Sequence, residues 1–490
     1  MTGDDSGELL LRRARLSGSP DAVDVTISAG RIARISPASE GSFSGRAVDL
    51  GGRWLVPGLW DNHVHFTQWA QTARRLDVAR AESAAGAAAL VGERLRGGGD
   101  EVVGFGFRDG LWPDAPSRGV LDAVSGPVPV VLVSGDLHSV WLNSAALAAH
   151  GHADHPSGLL REDDCFAVVR SLENVPTSTM DAWVADAARA AAARGVVGIV
   201  ELEMSWNLGE WRRRIAAGND LLRVEFGVYT QHLDRAIAEG LRSGELIGET
   251  HGMLTVGPYK VIIDGSLNTR TAYCFDPYPG LEGSDEAFGL LTVPPSELVP
   301  LMRRAATAGI RPAVHAIGDH ANALALDAFA EVGCAGSIEH AQLLTEHDLR
   351  RFAALGVTAS VQPEHALDDR DVAERYWSGR TDRAFMLADL EASGASLVLG
   401  SDAPVAPLDP WVTIAAAVGR TRDGREPWHP EQALSRPTAL AASTRGTVAA
   451  GEVADLVAVE TDPTMASVEE LRRMPVAATL LAGRFTHNAL

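Results

Sequence analysis

The chain has few basic residues and no long uninterrupted apolar segment. Lys and Arg number 43 against 64 Asp and Glu, so the formal net charge of the 490 residues is −21 at pH 7. This charge repels a phosphate backbone and no basic run offsets it, so we expect no nucleic-acid partner. No stretch approaches the roughly 18 apolar residues of a membrane span, and the N-terminus lacks the pattern of a signal peptide. We expect a soluble, cytoplasmic protein without a membrane partner.

Cysteine is also scarce. The three cysteines, Cys165, Cys274 and Cys334, are scattered without a C-x-x-C pair, and an odd number is a poor disulfide framework. Buried or idle thiols are the expectation. With 46% hydrophobic and 22% charged residues, the composition is that of a globular protein with a large core.

Both chain ends are rich in β pattern. Short runs of alternating apolar and polar residues, bounded by turn signals, occur at residues 8–11, 23–27, 31–35, 456–459 and 477–481. Two β-rich ends that flank a different middle predict one small composite β-sandwich, built from residues 1–56 and 441–490.

The middle of the chain alternates strands with helices. Strand patterns at 309–315 and 336–340 precede a helical run from Asp319 to Val332 and a helix to Leu355 that Thr345 can cap. A long series of such units favours a closed (β/α)8 barrel over an open parallel sheet. We place the barrel at residues 57–440, with an insertion at about 70–180 predicted to cover the active-site mouth.

Histidines and an aspartate recur where predicted strands end. In a barrel these ends meet at one rim, and side chains two apart on a strand share a face. Imidazole and carboxylate together suit zinc, one ion or two. The predicted metal ligands are His63, His65, His315, His340 and Asp402.

Each of these residues also has a structural alternative. An H-x-H pair alone is a weak signal, and His315 or His340 alone suits a hydrogen-bonded interior residue. Asp402, which follows Gly-Ser, could cap the next helix. Their joint placement on successive strand ends favours the metal site.

Lys260 lies within a predicted barrel strand, where an amine is costly unless it is neutral or paired. One alternative is a structural ion pair with Asp264. The other is a lysine carboxylated by CO2, which would be N6-carboxylysine and bridge two metals.

With these motifs assembled, the chain resembles the amidohydrolase superfamily, in the branch that includes N-substituted formamide deformylase and YtcJ-like hydrolases. The phrases that carry the resemblance are VPGLWDNHVH at 56–65, LHSVWLNS at 137–144, DGSL at 264–267, HAIGD at 315–319, IEHAQ at 338–342, GSDAP at 400–404 and GEVADL at 451–456. Where members commonly continue with Gly-Ser-Arg after DGSL, this chain has Asn-Thr-Arg at 268–270.

The resemblance implies a TIM-like barrel with a composite β-sandwich. It also implies hydrolysis of an amide, N-formyl or N-acyl amine by a metal-bound hydroxide. His63, His65 and Asp402 would ligate one metal, His315 and His340 a second, with Lys260 as the bridging carbamate. Asp402 is then the expected catalytic residue, which takes a proton from water and gives it to the leaving nitrogen.

Three residues are candidates for substrate binding: Arg270, Trp112 and His138. Arg270 could hold a substrate carboxylate or form a surface salt bridge, and His138 could line a lid or join an interior hydrogen-bond network. The partner is a small-molecule substrate, with a homodimer left open. A cyclic-amide, ester or deaminating hydrolase on the same frame is the alternative function, and a non-catalytic scaffold is the third.

Overall fold

The computed structural model describes residues 8–19, 21–109, 112–135, 139–172 and 175–490. The chain forms two compact units, one of residues up to Phe66 together with Ala185–Leu490, and one of Thr67–Val184. Within the described ranges, no helix combines the length and the apolar character needed to cross a bilayer.

The first elements of the chain are mostly strands. In order they are β1 (Leu9–Arg15), β2 (Ala22–Ser28), β3 (Arg31–Pro37), β4 (Arg46–Asp49), β5 (Trp54–Pro57), β6 (Leu59–Val64) and helix α1 (Phe66–Thr72).

The second unit carries its own small sheet. Its elements are β7 (Leu76–Asp77), α2 (Ala84–Arg96), β8 (Val102–Phe107), α3 (Arg118–Ser125), β9 (Val130–Ser134), β10 (Ser139–Leu142), α4 (Ser144–Ala149), β11 (Leu159–Arg161) and α5 (Glu162–Leu172), and α6 (Thr177–Ala192) leads out of it. The sheet order is β11-β10-β9-β8-β7. Asn143 links β9 to the start of α4. Its side-chain oxygen accepts the N–H groups of Val130 and Ala146, and its side-chain amide donates to the carbonyl of Val128.

The rest of the chain alternates strands and helices before it returns to strands. The strands are β12 (Val196–Glu201), β13 (Arg223–Tyr229), β14 (Leu254–Ile262), β15 (Pro312–Ala316), β16 (Gly336–His340), β17 (Val357–Val361), β18 (Leu397–Leu399), β19 (Leu456–Val459), β20 (Val476–Leu481) and β21 (Arg484–Asn488). The helices are α7 (Asn207–Ala216), α8 (Thr230–Ala238), α9 (Pro295–Thr307), α10 (Asp319–Val332), α11 (Glu346–Leu355), α12 (Pro363–Tyr376), α13 (Leu387–Ala392), α14 (Pro410–Gly419), α15 (Arg436–Ala441) and α16 (Val468–Arg472), with 3-10 turns at Thr381–Arg383 and Pro430–Gln432.

Strands from both chain ends share one sheet. Its order is β21-β20-β19-β5-β1-β2-β3, with β4 beside β1. β19 pairs antiparallel with both β5 and β20, which joins the two ends of the chain directly. Leu11 and Ile27 from one end pack with Leu456 and Leu480 from the other in a single buried cluster.

The barrel sheet runs β6-β12-β13-β14-β15-β16-β17-β18, and its neighbouring strands are parallel. It closes beyond β18, where the backbone N–H of Asp402 donates to the carbonyl of His63 at 2.7 Å and that of His65 donates to Ala403 at 2.9 Å. Gly198 on β12 allows the close approach of β6, because a Cβ there would lie 2.3 Å from the Trp60 ring. The predicted fold class, a TIM-like barrel with a β-rich domain made from both chain ends, is confirmed.

Local sequence signals account for the helix ends around the barrel. The side chain of Thr345 caps α11 by accepting the N–H of Asp348. Gly333 and Gly356 end α10 and α11 in the left-handed conformation, at φ 68° and 66°. These caps determine where each helix releases the chain into the next barrel strand.

Candidate metal centre

The predicted ligands lie at the C-terminal ends of the barrel strands. His63 is the second-last residue of β6 and His65 directly follows the strand. His315 lies near the end of β15, and His340 ends β16. Asp402 lies three residues beyond β18. The next helix, α14, begins eight positions later and is capped by Asp409, so helix capping does not account for Asp402.

One carboxylate oxygen contacts both histidines of the H-x-H pair from the segment after β18, which is hydrogen-bonded to β6. Asp402 Oδ1 lies 3.4 Å from His63 Nε2 and 3.3 Å from His65 Nε2. Asp402 and His63 are buried, whereas 21% of the His65 side chain remains exposed. The centre is therefore shielded from solvent at His63 and Asp402 and accessible to solvent at His65.

His340 lies between the other two histidines of the centre. Its ring centroid is 4.9 Å from that of His63 and 4.4 Å from that of His315. Among the residues that the structure describes, one ligand atom each from His63, His340 and Asp402 lie within 4.8 Å of one another, a spacing suited to one metal ion. All five predicted ligands thus belong to one chain of contacts, and their division between two metals stays a prediction.

Two of the candidate ligands have strained backbone. His340 has φ 77° and Asp402 has φ 57°, in the left-handed region that non-glycine residues rarely adopt. Such conformations cost on the order of 1–3 kcal/mol each and concentrate at functional sites. At the end of β16 this turn lets the consecutive residues Glu339 and His340 both reach the centre.

Glu339 orients the first histidine, and the sequence analysis missed it. Its carboxylate lies 2.7 Å from His63 Nδ1 and accepts the Ser337 hydroxyl at 2.6 Å. Burial alone would raise the pKa of Glu339, but the hydrogen bond from His63 and the nearby Lys260 lower it to about 2. The ionised Glu339 accepts a hydrogen bond from the Nδ1–H of His63, so the neutral His63 ring presents an unprotonated Nε2 to the centre.

Lys260 reaches the same point from β14. Its Nζ lies 3.4 Å from His63 Nε2, and its side chain is buried. Burial lowers the pKa of Lys260, although the carboxylates of Glu339 and Asp402 oppose that change. Asp264, the alternative partner considered from the sequence, instead accepts the backbone N–H groups of Tyr273, Ile317 and Gly318.

The histidine rings on the inner side of the centre are neutral and fit a divalent cation. Burial, followed by the charge of Lys260, lowers the pKa of His315 to about 3, and burial also holds the pKa of His340 well below its ordinary value. Nδ1 of His340 is buried without a hydrogen-bond partner within the described ranges. Unpartnered buried nitrogens are rare and costly, and a metal ion is a partner that this imidazole and carboxylate set suits.

Asp61 fixes the backbone that carries His63. One of its oxygens accepts the N–H groups of His63 and Ser401, at 3.2 and 2.9 Å. Burial raises the pKa of Asp61 to about 6, against the hydrogen bonds from Ser401. The aspartate thus ties the strand of the H-x-H pair to the segment of Asp402, a role with no signal in the sequence beyond its place in the first motif.

The predicted substrate residues lie in different surroundings. The Arg270 guanidinium stands 5.4 Å above the Tyr376 ring, on a residue with φ 60°. The Trp112 indole donates to the carbonyl of Ala81 at 3.1 Å, inside the second unit. His138 lies outside the described residues. Contact of these three with a substrate stays a prediction.

Comparison with known proteins agrees with the fold and the motifs. The family model described as "Amidohydrolase family" matches residues 46–487. The putative amidohydrolase YtcJ of Bacillus subtilis (strain 168) is 25% identical over 494 residues, covering 91% of this chain and 92% of the relative. The N-substituted formamide deformylase of Arthrobacter pascens is 24% identical over 537 residues, covering 94% of each.

A solved structure has the same fold. The crystal structure of an uncharacterized metal-dependent hydrolase from Pyrococcus horikoshii OT3 superposes with a TM-score of 0.78, at 24% sequence identity, over 94% of this chain and 99% of the other. These matches confirm the resemblance inferred from the sequence motifs. The family match spans nearly the whole chain, from the terminal sheet through the barrel, and the chain belongs to the amidohydrolase family.

Proposed function

We propose that this chain hydrolyses a C–N bond of a small molecule, in an amide, N-formyl or N-acyl amine, with the help of a divalent cation. The observation that carries this proposal is the convergence of His63, His340 and Asp402, which each offer a ligand atom within 4.8 Å of the others. In addition, Nδ1 of His340 is buried without a hydrogen-bond partner among the described residues. The relative named as an N-substituted formamide deformylase supports the choice of a C–N bond. We expect the protein to act in the cytoplasm.

Residues at the ends of four barrel strands, β6, β15, β16 and β18, would hold the metal. We propose zinc, with His63, His65 and Asp402 at one ion and His315 and His340 at a second. A bound cation of this kind lowers the pKa of a coordinated water to about 7 and polarises the carbonyl that is attacked. The protein contributes the fixed geometry, because Glu339 sets the tautomer of His63 and the barrel backbone sets the spacing.

Asp402 is the proposed proton carrier. Burial would raise its pKa, but the neighbouring His63 and the hydrogen bond from His65 hold the pKa well below its ordinary value, so the side chain is a carboxylate. It lies beside His65, whose side chain is 21% exposed. In this position it can accept the proton of the attacking water and deliver it to the leaving nitrogen.

Lys260 is the proposed site of carboxylation. The reaction joins the neutral Nζ amine to CO2 and releases one proton, which leaves a carbamate anion on the side chain. Burial lowers the pKa of Lys260 and so favours the neutral amine that this reaction needs. The short distance from Nζ to His63 Nε2, 3.4 Å, places the modified group among the proposed ligands.

Metal removal tests the proposed function. We expect a chelator to abolish hydrolysis of formanilide and acetanilide, and added zinc or manganese to restore it, because water at neutral pH is a poor nucleophile without a metal. kcat/KM on these amides is compared with that on phenyl acetate and hydantoin. Full activity in metal-free protein contradicts the mechanism, and a marked preference for the ester or the cyclic substrate contradicts the proposed bond.

Asp402→Asn tests the proton carrier. The amide cannot accept the proton of water, so kcat should fall by about 10²- to 10⁴-fold while circular dichroism stays unchanged. Asp327→Asn is a matched control, since Asp327 is exposed and its ion pair with Arg351 lies on the surface. Wild-type turnover in Asp402→Asn would remove Asp402 from the reaction.

Glu339→Gln tests the support of His63. Loss of the carboxylate weakens the hold on the Nδ1 proton, so zinc affinity should fall by about 10- to 100-fold in a metal-buffered titration. Glu331→Gln is the control, because Glu331 is exposed and its ion pair with Arg303 lies on the surface. Equal zinc affinity in Glu339→Gln and the wild type is the outcome against this role.

Lys260 carboxylation can be observed directly. After incubation with ¹³C-labelled bicarbonate and zinc, ¹³C NMR should show a carbamate carbonyl signal in the wild-type protein that is missing in Lys260→Gln. The reason for this expectation is the burial of Lys260, which lowers its pKa and so favours the neutral amine. Absence of the signal, with one zinc per chain by elemental analysis, would count against the bridge and the second metal.

A further inference from the structure

A fifth histidine faces the proposed proton carrier, from the helix that follows β17, a strand that supplies none of the predicted ligands. His365 lies in the first turn of α12, directly after β17, and is 6% exposed. Its Nε2 is 3.8 Å from Asp402 Oδ2. Its ring lies parallel to that of His340, with the centroids 6.2 Å apart.

The two oxygens of Asp402 have different surroundings. Oδ1 faces the H-x-H pair, at 3.4 Å from His63 and 3.3 Å from His65, whereas Oδ2 faces His365. A carboxylate contacted on one oxygen can still rotate about its Cβ–Cγ bond. A donor at the second oxygen removes that freedom and fixes the plane of the group.

The tautomer of His365 is set by its neighbour Gln342. The Gln342 amide nitrogen is 3.4 Å from His365 Nδ1, and an amide nitrogen only donates, so Nδ1 is the acceptor. In the neutral ring the proton is then on Nε2, the nitrogen that faces Asp402. This Nε2 is buried and has no hydrogen-bond partner in the described part of the chain. A shift of about 1 Å would bring it within hydrogen-bond distance of Oδ2.

The start of α12 is anchored by the residues around His365. The buried carboxylate of Glu364 accepts hydrogen bonds from Nη1 and Nη2 of Arg472, each at 3.0 Å, and from Nη1 of Arg422 at 2.9 Å. One turn later, Asp369 accepts the Asn268 amide at 2.9 Å. The helix turn that carries His365 is therefore held on two sides, which is what precise placement of a donor needs.

We propose that His365 is a positioning residue for Asp402, in which Nε2–H donates to Oδ2 and fixes the carboxylate in the plane needed for proton transfer. The role rests on the proposed function of Asp402. Gln342 belongs to the same arrangement, because it keeps the proton of His365 on the nitrogen that faces Asp402.

Kinetics of His365→Leu test this role. With formanilide as the probe, we expect kcat to fall by about 10- to 100-fold, with KM within about twofold of the wild type and zinc content unchanged. His365→Gln, which keeps an N–H donor, should recover part of kcat. His429→Leu is the matched control and should keep wild-type kcat. The buried Nε2 of His429 also has no hydrogen-bond partner among the described residues, but His429 pairs with Glu431 and packs on Trp428.

Three kinetic outcomes would overturn the proposal. The first is an unchanged kcat in His365→Leu. The second is a rise in KM alone, which would make His365 a substrate contact. The third, read from the zinc content measured beside the kinetics, is loss of zinc, which would make His365 a ligand. If His365→Leu does not fold, His365→Gln carries the same test, with reduced kcat at unchanged KM expected and wild-type kinetics contradicting the role.

A double-mutant cycle separates this inference from the proposed function. In metal-free protein, the fall in Tm caused by His365→Leu should be smaller in the Asp402→Asn background than in the wild type, because the carboxylate that the donor serves is gone. Additive changes in Tm would overturn the contact. If the wild-type enzyme cleaves none of the amides, the proposed function fails while this cycle still decides the contact.

Discussion

The seam where the first barrel strand meets the last is the constraint on which the centre depends. There the backbone N–H of Asp402 donates to the carbonyl of His63 at 2.7 Å, and the side-chain amide of Asn62 donates to the carbonyl of Leu399 at 2.9 Å. Asp61 adds its bonds to both sides. Since the H-x-H pair and the carboxylate lie on opposite sides of this seam, the metal geometry exists only while the barrel is closed.

The seam also explains why strain is tolerated at the centre. Asp402 keeps φ 57° because its N–H is bonded to the opposite strand, and the segment around His340 is held by the N–H of Ala341 on the carbonyl of Ala316. The free energy gained by closing a barrel of eight parallel strands exceeds the conformational strain of these two residues. Strain at His340 is what places Glu339 and His340 on one site, so the centre combines a ligand and its support on adjacent residues.

Sequence patterns predicted the helices and strands of the barrel and the candidate ligands at the strand ends, because strand ends and helix caps leave local signals. The bounds of α10 and α11 agree with the pattern from Asp319 to Val332 and with the cap at Thr345. Glu339 was missed since strand alternation assigns it to the face opposite His340, a rule that the positive φ of His340 overrides. His365 was missed because a helix begins between it and β17, and its approach to Asp402 depends on how that helix is anchored rather than on spacing.

The position of the seam also sets an order of events during synthesis. Asn62 and Leu399 are 337 positions apart in the sequence. The terminal sheet forms later still, because β5 can pair with β19 only after β19 has been synthesised. One edge of the first barrel strand therefore leaves the ribosome long before its partner is made. A strand with a bare edge invites pairing with other chains, so the yield of folded protein depends on how that edge is shielded while translation proceeds.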